Sequence, residues 1–333
     1  SVAPLRKLLR SPIRNWRRWL VRPGRAVFGA LVLMLAANSL CVRWSNGAVA
    51  RLQSPAMQRY AMAHGDAPVI YGMGCDDWYH SDRVRICAFG AANATHTAVL
   101  MGDSHAGQWF PAVAEAFDRP GWRVLVLTKS SCPMVDEPYF YERIGKEYVV
   151  CSSWRARALA QVARLKPDVV LLGALDTSGF SKAQWIDGTA RVLGVLSPAA
   201  GRIYLLRDTP RLPFDGPGCL AENAGRPAWL GLRHACSAPV HDPQGDQVYG
   251  WLSEAASRFA NVGMLDMNAS ICPGGVCSAE HQGMVVFRDG QHLTGSFAAS
   301  LGPVLAEKLG IGTLTASGRN AVGALPGKVP ASH

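Results

Sequence analysis

Charged side chains are scarce in this 333-residue sequence: Asp, Glu, Lys and Arg make up 17% of it, whereas 49% of the residues are hydrophobic. A chain with this balance can bury a sizeable core, which excludes wholesale disorder. Acidic residues are absent from residues 1–25, which contain eight basic ones. The other 308 residues carry 26 basic and 24 acidic side chains, so most of the formal net charge of +10 lies in the first 25 residues. Because the rest of the chain forms no basic domain, we expect no nucleic-acid partner.

Charge is absent altogether from residues 26–42 (AVFGALVLMLAANSLCV), which follow the basic segment directly. As a helix this segment would be roughly 26 Å long, close to the ~30 Å of a bilayer core. Trp44 comes just after it, where aromatic residues anchor a helix at the membrane interface. We therefore predict a transmembrane helix over 26–44, with residues 1–25 in the cytoplasm. Cleavage of a signal peptide after the Ala-Val-Ala sequence at 48–50 is the alternative, and both hypotheses place the rest of the chain outside the cytoplasm.

The sequence contains no CxxC pair, the spacing that is typical of structural zinc sites, and its histidines show no metal-like spacing. We predict neither a metal nor a cofactor. Eight cysteines lie outside the apolar segment, and an even number in a non-cytoplasmic chain indicates disulfides. The sequence alone allows 105 connectivities, of which we predict the pairing of neighbours, because it closes four short loops. The eight residues are Cys75, Cys87, Cys132, Cys151, Cys219, Cys236, Cys272 and Cys277.

Apolar strands alternate with helices from residue 97 onwards. The predicted strands are 97–101, 123–128, 168–173, 202–206 and 262–266, and the predicted helices are 106–117, 152–165, 182–196, 246–259 and 294–309. This alternation indicates an α/β fold with a mostly parallel sheet covered on both faces. We assign residues 71–310 to this domain, residues 45–70 to a linker, and the Gly-, Ala-, Ser- and Pro-rich residues 311–333 to a disordered tail.

Parallel sheets bind ligands at the carboxyl ends of their strands, and the sequence Gly-Asp-Ser-His at 102–105 follows the first of these strands. Its serine would open the next helix, where free backbone N–H groups and the helix dipole favour an anion. Ser104 is therefore a candidate nucleophile whose own N–H helps to hold an oxyanion. The alternative is structural, with Asp103 or Ser104 serving only as the helix cap.

A second candidate sequence, Asp289-Gly-Gln-His292, stands just before the last predicted helix. A serine nucleophile needs a base to take its proton, and that imidazole needs an acid to fix its tautomer. A carboxylate three residues before a histidine can supply both from one loop. By itself this spacing is often only a cap beside a surface histidine. Together with the first sequence it predicts a triad of Ser104, His292 and Asp289.

These two sequences resemble blocks one and five of the SGNH (GDSL-like) hydrolase and acyltransferase superfamily. Roughly residues 70–310 are similar to the periplasmic SGNH domain at the C-terminus of membrane acyltransferase-3 proteins, which O-acetylate cell-surface polysaccharides. The similarity rests on the segments CDDWYH, LMGDSHAGQWFP, TKSSCPM, CSSWR and RDGQHL. It implies a flavodoxin-like three-layer sandwich, the SGNH hydrolase fold, preceded by one transmembrane helix that would be the last of a larger acyltransferase. It also implies that this single-pass chain lies in the bacterial inner membrane with its catalytic domain in the periplasm.

The resemblance makes Ser104 the nucleophile, with His292 and Asp289 as base and orienting acid. The superfamily also uses a block-two glycine and a block-three asparagine as oxyanion donors, and this sequence departs from both. It has KSSC at 129–132 and GALD at 173–176 instead. The backbone near Ser131 and Gly173 is therefore expected to assist the Ser104 N–H.

The predicted function is acyl transfer, in which Ser104 takes an acyl group, acetyl by the resemblance, and a polysaccharide hydroxyl accepts it with His292 as base. His105 and Trp109 are candidate substrate contacts, with packing as their alternative role. The sequence shows no nucleotide or coenzyme A site, so we expect an acyltransferase-3 membrane domain, in the same longer chain or in a partner, to deliver the donor. Two alternatives stay open: an acetyl esterase that hands the acyl group to water, and a non-catalytic glycan-binding domain.

Overall fold

The computed structural model describes residues 23–226, 231 and 233–311. The chain divides into two units, residues 1–58 and residues 59–333. The predictions for the basic cytoplasmic segment, up to residue 22, and for the disordered tail, from residue 312, fall outside the described residues.

A single long helix, α1 (Pro23–Leu52), makes up most of the described part of the first unit. Its segment Val27–Leu52 is long and apolar enough to cross a membrane. The predicted span 26–44 lies inside this helix, which continues beyond Trp44 to Leu52. At 1.5 Å per residue, the 26-residue segment is about 39 Å long, which exceeds the ~30 Å hydrocarbon core of a bilayer.

Strands and helices alternate in the rest of the described chain around a six-stranded sheet. The helices are α2 (Pro55–Ala63), α3 (Val69–Gly72), α4 (Ser104–Gly107), α5 (Phe110–Ala116), α6 (Val149–Leu165), α7 (Lys182–Leu196), α8 (Gly216–Gly225), α9 (Pro243–Ala256), α10 (Asn268–Ile271), α11 (Gly295–Ser300) and α12 (Gly302–Lys308). The strands are β1 (Cys87–Gly90), β2 (His96–Gly102), β3 (Trp122–Thr128), β4 (Phe140–Tyr141), β5 (Lys146–Glu147), β6 (Val169–Gly173), β7 (Arg202–Leu206), β8 (Ser237–Pro239), β9 (Val262–Leu265), β10 (Val276–Ser278), β11 (Glu280–His281) and β12 (Met284–Val285). The large sheet has the order β1-β3-β2-β6-β7-β9, in which β1 runs antiparallel to β3 and the other neighbours are parallel.

The five parallel strands occur at the predicted positions, which confirms the α/β fold with a mostly parallel sheet. Two predicted helices are each broken in two: 106–117 into α4 and α5, and 294–309 into α11 and α12. In both cases a proline, Pro111 or Pro303, lies in the first turn of the second helix. Because proline lacks an N–H and its ring clashes with the preceding turn, it fits the start of a helix and not its middle.

Side chains of β2 alternate between the two faces of the sheet. Ala98 and Leu100 join one core cluster with side chains of α5, α11 and α12, and Val99 and Met101 join the other with side chains of α6 and α7. Successive residues of a strand point to opposite faces, so helices cover both faces in a three-layer sandwich. Because β2, β6 and β7 are neighbouring parallel strands, the loops that follow them lie at the same edge of the sheet, its carboxyl edge.

The segment 45–70, expected to be a linker, is largely helical, with the end of α1, all of α2 and the start of α3. Within the second unit, Tyr60 is buried and its hydroxyl donates a hydrogen bond to Glu280 at 2.9 Å. The N–H of Gly295 donates to the carbonyl oxygen of Asp66 at 2.8 Å. Residues 59–70 therefore pack as part of the second unit.

The pairing of neighbouring cysteines is confirmed. The four disulfides are Cys75–Cys87, Cys132–Cys151, Cys219–Cys236 and Cys272–Cys277. In the described part of the chain Cys41, on α1, is the free cysteine.

Replacing both Cys132 and Cys151 with alanine is expected to lower the free energy of unfolding by about 3 kcal/mol, because a crosslink between residues 19 apart restricts the unfolded chain. The same change at Cys272 and Cys277, only 5 residues apart, is expected to cost about 2 kcal/mol. Urea unfolding of the full chain in detergent, followed by tryptophan fluorescence, measures both losses. A larger loss for the shorter loop would contradict this origin of the stabilisation.

Candidate active site

A tight turn connects β2 to α4 and brings Ser104 to the carboxyl edge of the sheet. Gly102, with a φ of +151°, lies so close to β6 that a Cβ at this position would overlap the carbonyl oxygen of Gly173. Asp103 caps α4, since its Oδ1 accepts a hydrogen bond from the N–H of His105 at 2.8 Å. Capping therefore does not occupy the hydroxyl of Ser104.

The three predicted triad residues lie within hydrogen-bond distance of one another. The Ser104 hydroxyl is 3.0 Å from Nε2 of His292, and Nδ1 of the same ring is 2.9 Å from Oδ2 of Asp289. Oδ1 of Asp289 accepts hydrogen bonds from the backbone N–H groups of Gln291, at 2.8 Å, and His292, at 2.7 Å. The fold thus brings Ser104 and His292, 188 positions apart, together with Asp289 in the arrangement that the predicted roles of nucleophile, base and acid require.

The surroundings of the triad set its charge. Burial acts to raise the pKa of Asp289, but hydrogen bonds from His292 and Gln291 outweigh burial and hold this pKa well below its usual range. Burial lowers the pKa of His292, and the hydrogen bond to Asp289 opposes this effect. The charge of His105 lowers the pKa further, so that the pKa of His292 lies below the ordinary histidine value. Asp289 is therefore ionised and His292 neutral at pH 7, the state in which Nε2 can accept the serine proton.

A second histidine–carboxylate pair, which the sequence analysis does not predict, lies beside the triad. Nδ1 of His105 is 2.6 Å from Oδ1 of Asp208, and the two side chains are only 2% and 3% exposed. The ring centroids of His105 and His292 are 4.6 Å apart. Asp208 comes two residues after the end of β7, so the rule that points to the carboxyl ends of parallel strands also points to this residue.

Arg211 and Asp176 complete a charge cluster around Asp208. Oδ2 of Asp208 accepts hydrogen bonds from Nη2 of Arg211 and from the N–H of Asp176, both at 3.1 Å, and Arg211 also forms an ion pair with Asp176. Burial raises the pKa of Asp176 to about 6, whereas at Asp208 the effects of His105 and Arg211 outweigh burial and lower the pKa. No group of three or more His, Cys, Asp or Glu side chains in the described residues has an arrangement that could hold a metal ion.

The positions predicted to provide further oxyanion donors have different surroundings. Gly173 ends β6, directly beside the strand that carries the Ser104 turn. Two residues later, the N–H of Leu175 donates to Oδ2 of Asp103 at 2.9 Å, so this amide already has a partner. Ser131 has a left-handed backbone, with a φ of +59°, in the loop that follows β3. That the backbone N–H groups of Ser104, Gly173 and Ser131 donate to an oxyanion therefore remains a prediction.

The two predicted substrate contacts are both buried. Trp109 belongs to the core cluster beneath α5 and is 1% exposed, so its ring offers no surface on which a sugar can stack. Its place five residues after Ser104 in the sequence does not reveal this burial, because the helix breaks between α4 and α5. His105 makes its polar side-chain contact with Asp208.

Lys129, in the loop that follows β3, is a fully buried cation near the same edge. Its ammonium donates to Oδ1 of Asp77 at 2.6 Å and to the carbonyl oxygens of Trp78 and Ser81 at 2.5 and 2.8 Å. All three of its N–H donors are therefore used. Lys129 thereby links the end of β3 to the loop that is closed by the Cys75–Cys87 disulfide.

Comparison with known proteins agrees with this fold. A family model described as "SGNH domain (fused to AT3 domains)" matches residues 74–307. The chain belongs to this family. Its SGNH domain resembles the periplasmic domain of a lipopolysaccharide acetyltransferase from Salmonella ser. Paratyphi A, with a TM-score of 0.52 and 16% identity over 65% of this chain and 84% of that one.

A second similar structure is an acetylxylan esterase from Geobacillus stearothermophilus, with a TM-score of 0.39 and 12% identity over 66% of this chain and 96% of that one. A search of curated proteins gave no match. The family match and the similarity to the Salmonella domain confirm the SGNH hydrolase fold and the resemblance stated from the sequence.

Proposed function

We propose that this SGNH domain is an O-acyltransferase module that transfers an acyl group, acetyl in the first instance, to hydroxyls of a cell-surface or periplasmic polysaccharide. The observation that carries the proposal is the line of hydrogen bonds from Ser104 through His292 to Asp289 at the carboxyl edge of the sheet. Membership of a family described as fused to AT3 domains supports transfer as the reaction, because a fused membrane domain would be placed to deliver an acyl donor to this site.

The reaction has two halves. The Ser104 oxygen attacks the acyl carbonyl while Nε2 of His292 takes its proton, and collapse of the tetrahedral intermediate breaks the bond to the donor, which leaves with that proton. The acceptor hydroxyl then attacks the acyl-serine, His292 takes the acceptor's proton, and collapse returns the proton to the released Ser104 oxygen. Asp289 stays ionised and stabilises the imidazolium in both halves. The same triad would make an esterase if water took the acceptor's place.

The proposed membrane arrangement rests on α1. With the basic residues 1–25 in the cytoplasm, a helix spanning Val27–Leu52 would place the SGNH domain on the periplasmic side of the bacterial inner membrane. Four disulfides are consistent with that oxidising compartment. The acyl donor would come from an AT3 membrane domain, either in a longer form of this chain or in a partner.

The test follows an acetyl group from a donor to its acceptor. The full chain in detergent is given an activated aryl acetate, with and without O-deacetylated lipopolysaccharide, and is compared with its Ser104→Ala variant. We expect one acetyl adduct on the parent by intact mass, none on the variant, and acetyl esters on the polysaccharide. Release of all acetyl as free acetate would instead identify an esterase. The absence of both adduct and ester turnover would overturn the enzymatic proposal and favour a glycan-binding role.

A further inference from the structure

The pair formed by His105 and Asp208 has features that packing alone does not require. It joins two buried ionisable side chains 103 residues apart through a 2.6 Å contact. Asp208 is also held from its other oxygen by Arg211 and by the backbone of Asp176. Because a buried charge is costly unless it is paired and hydrogen-bonded, this network maintains an ionised carboxylate at a defined position against the His105 ring.

The His105 ring faces the catalytic base directly. Its centroid is 4.6 Å from that of His292 and the two ring planes are tilted by 45°. Nε2 of His105 is buried and has no hydrogen-bond partner within the described structure. The ring is therefore anchored from its Nδ1 side, by Asp208, and its influence on His292 is exerted through space.

We propose that the His105–Asp208 pair is a positioning element for the proposed acyl transfer, which fixes a positive charge against His292 and so keeps this base neutral and ready to take the Ser104 proton. The inference rests on the proposed function for its catalytic meaning. The effect of the His105 charge on the pKa of His292 does not depend on that function and can be tested without it.

The direction of the effect follows from the groups around the two rings. On its own loop, His292 has Asp289, which favours the protonated ring, and Arg288, which disfavours it. Asp103, the cap of α4, and His105, in its first turn, face these rings from one side, and Asp208 and Arg211 come from the loop after β7.

The ionisation of the two histidines follows from these neighbours. Burial lowers the pKa of His105, but the charge and hydrogen bond of Asp208 outweigh it and raise this pKa above the ordinary value. His105 is then a cation that opposes Asp289 and lowers the pKa of His292. Removal of the charge at His105 is therefore expected to raise the pH at which His292 loses its proton.

The test replaces His105 with glutamine, whose amide can still donate a hydrogen bond to Asp208 but carries no charge. In the full chain in detergent, the pH profile of kcat/KM for an aryl acetate is expected to have its acid limb at higher pH than the parent. The ratio of the rates at pH 5 and pH 8 is expected to fall at least about threefold. A purely structural role would change the rate at all pH values alike.

A second readout does not need activity. With histidine labelled at ¹³Cε1, NMR titration follows each ring of the parent, with signals assigned by single substitutions. We expect His105 to stay protonated over the pH range in which His292 titrates, and the His292 midpoint to rise in His105→Gln and also in Asp208→Asn. His96→Gln is the matched control, because His96 pairs with Asp168 at 3.1 Å at the opposite end of β2 and should leave the His292 midpoint unchanged.

The outcomes distinguish a failure of the proposed function from a failure of the inference about His105 and Asp208. If the parent neither acylates nor turns over the ester, the proposed function fails, while the titration of the two rings still tests the charge relation. A neutral His105 in the parent at the midpoint of His292 would overturn this inference. An unchanged His292 midpoint in His105→Gln, in an enzyme that acylates at Ser104, would overturn it as well.

Discussion

Replacing Asp289 with asparagine is expected to lower kcat/KM for an aryl acetate by about 10⁴-fold, because His292, the proposed base, would take the wrong tautomer. Two backbone N–H groups, from Gln291 and His292, donate to Oδ1. In an asparagine the amide oxygen would keep these donors, so the NH₂ group would face Nδ1 of His292. Nδ1 would then accept a hydrogen bond, and the proton would move to Nε2. A ring with a proton on Nε2 donates to the Ser104 hydroxyl and cannot take its proton.

The chain offers a matched control for this change. Asp168 also combines a contact with a histidine, His96 at 3.1 Å, and a backbone hydrogen bond, from Thr97 at 2.7 Å, but it lies at the opposite end of the sheet. Asp168→Asn should therefore leave turnover within about twofold of the parent. Steady-state kinetics at pH 8, with the unfolding midpoint of each variant, make the comparison. Equal activity of Asp289→Asn and the parent would contradict the role assigned to Asp289.

Replacing Gly102 with alanine is expected to destabilise the protein by about 3 kcal/mol or more and to reduce turnover at least about 10²-fold. A Cβ at this position would overlap the carbonyl oxygen of Gly173 and would lie 2.6 Å from Cβ of Ala106. The φ of +151° adds conformational strain, since residues with a side chain rarely adopt it. To relieve the overlap, β2 and β6 would have to separate or the turn would have to move, and Ser104 lies two residues further on. Both relaxations would displace Ser104 from His292.

Gly194 provides the comparison, because it lies inside α7 and a methyl group added there would meet no atom within 4 Å. Gly194→Ala should stabilise the protein by about 0.5–1 kcal/mol, since glycine disfavours a helix interior. Urea unfolding and ester turnover of both variants in the full chain test the pair of expectations. A Gly102→Ala protein with the stability and turnover of the parent would show that the two strands do not need this close approach.

The parallel strands and the triad could be predicted from the sequence because each has a local signal. Buried strands are continuous apolar runs, the carboxyl-edge rule directs attention to the turn that carries Ser104, and the spacing of Asp289 and His292 before the last helix indicates a base and its partner. The pair of His105 and Asp208 has no such signal, because it depends on how two loops far apart in sequence orient their side chains. The same holds for Trp109, whose burial depends on the break between α4 and α5. The short antiparallel strand β1, four residues long, is below the length at which periodicity is informative.

The contacts of Lys129 bear on how two segments of the domain depend on each other. An ammonium cannot leave water at acceptable cost until acceptors replace its hydration shell, and its three acceptors lie about 50 residues earlier in the chain. Burial of Lys129 therefore couples the end of β3 energetically to the loop closed by Cys75–Cys87. Lys129 is therefore expected to make the stability of this side of the carboxyl edge depend on both segments being in place.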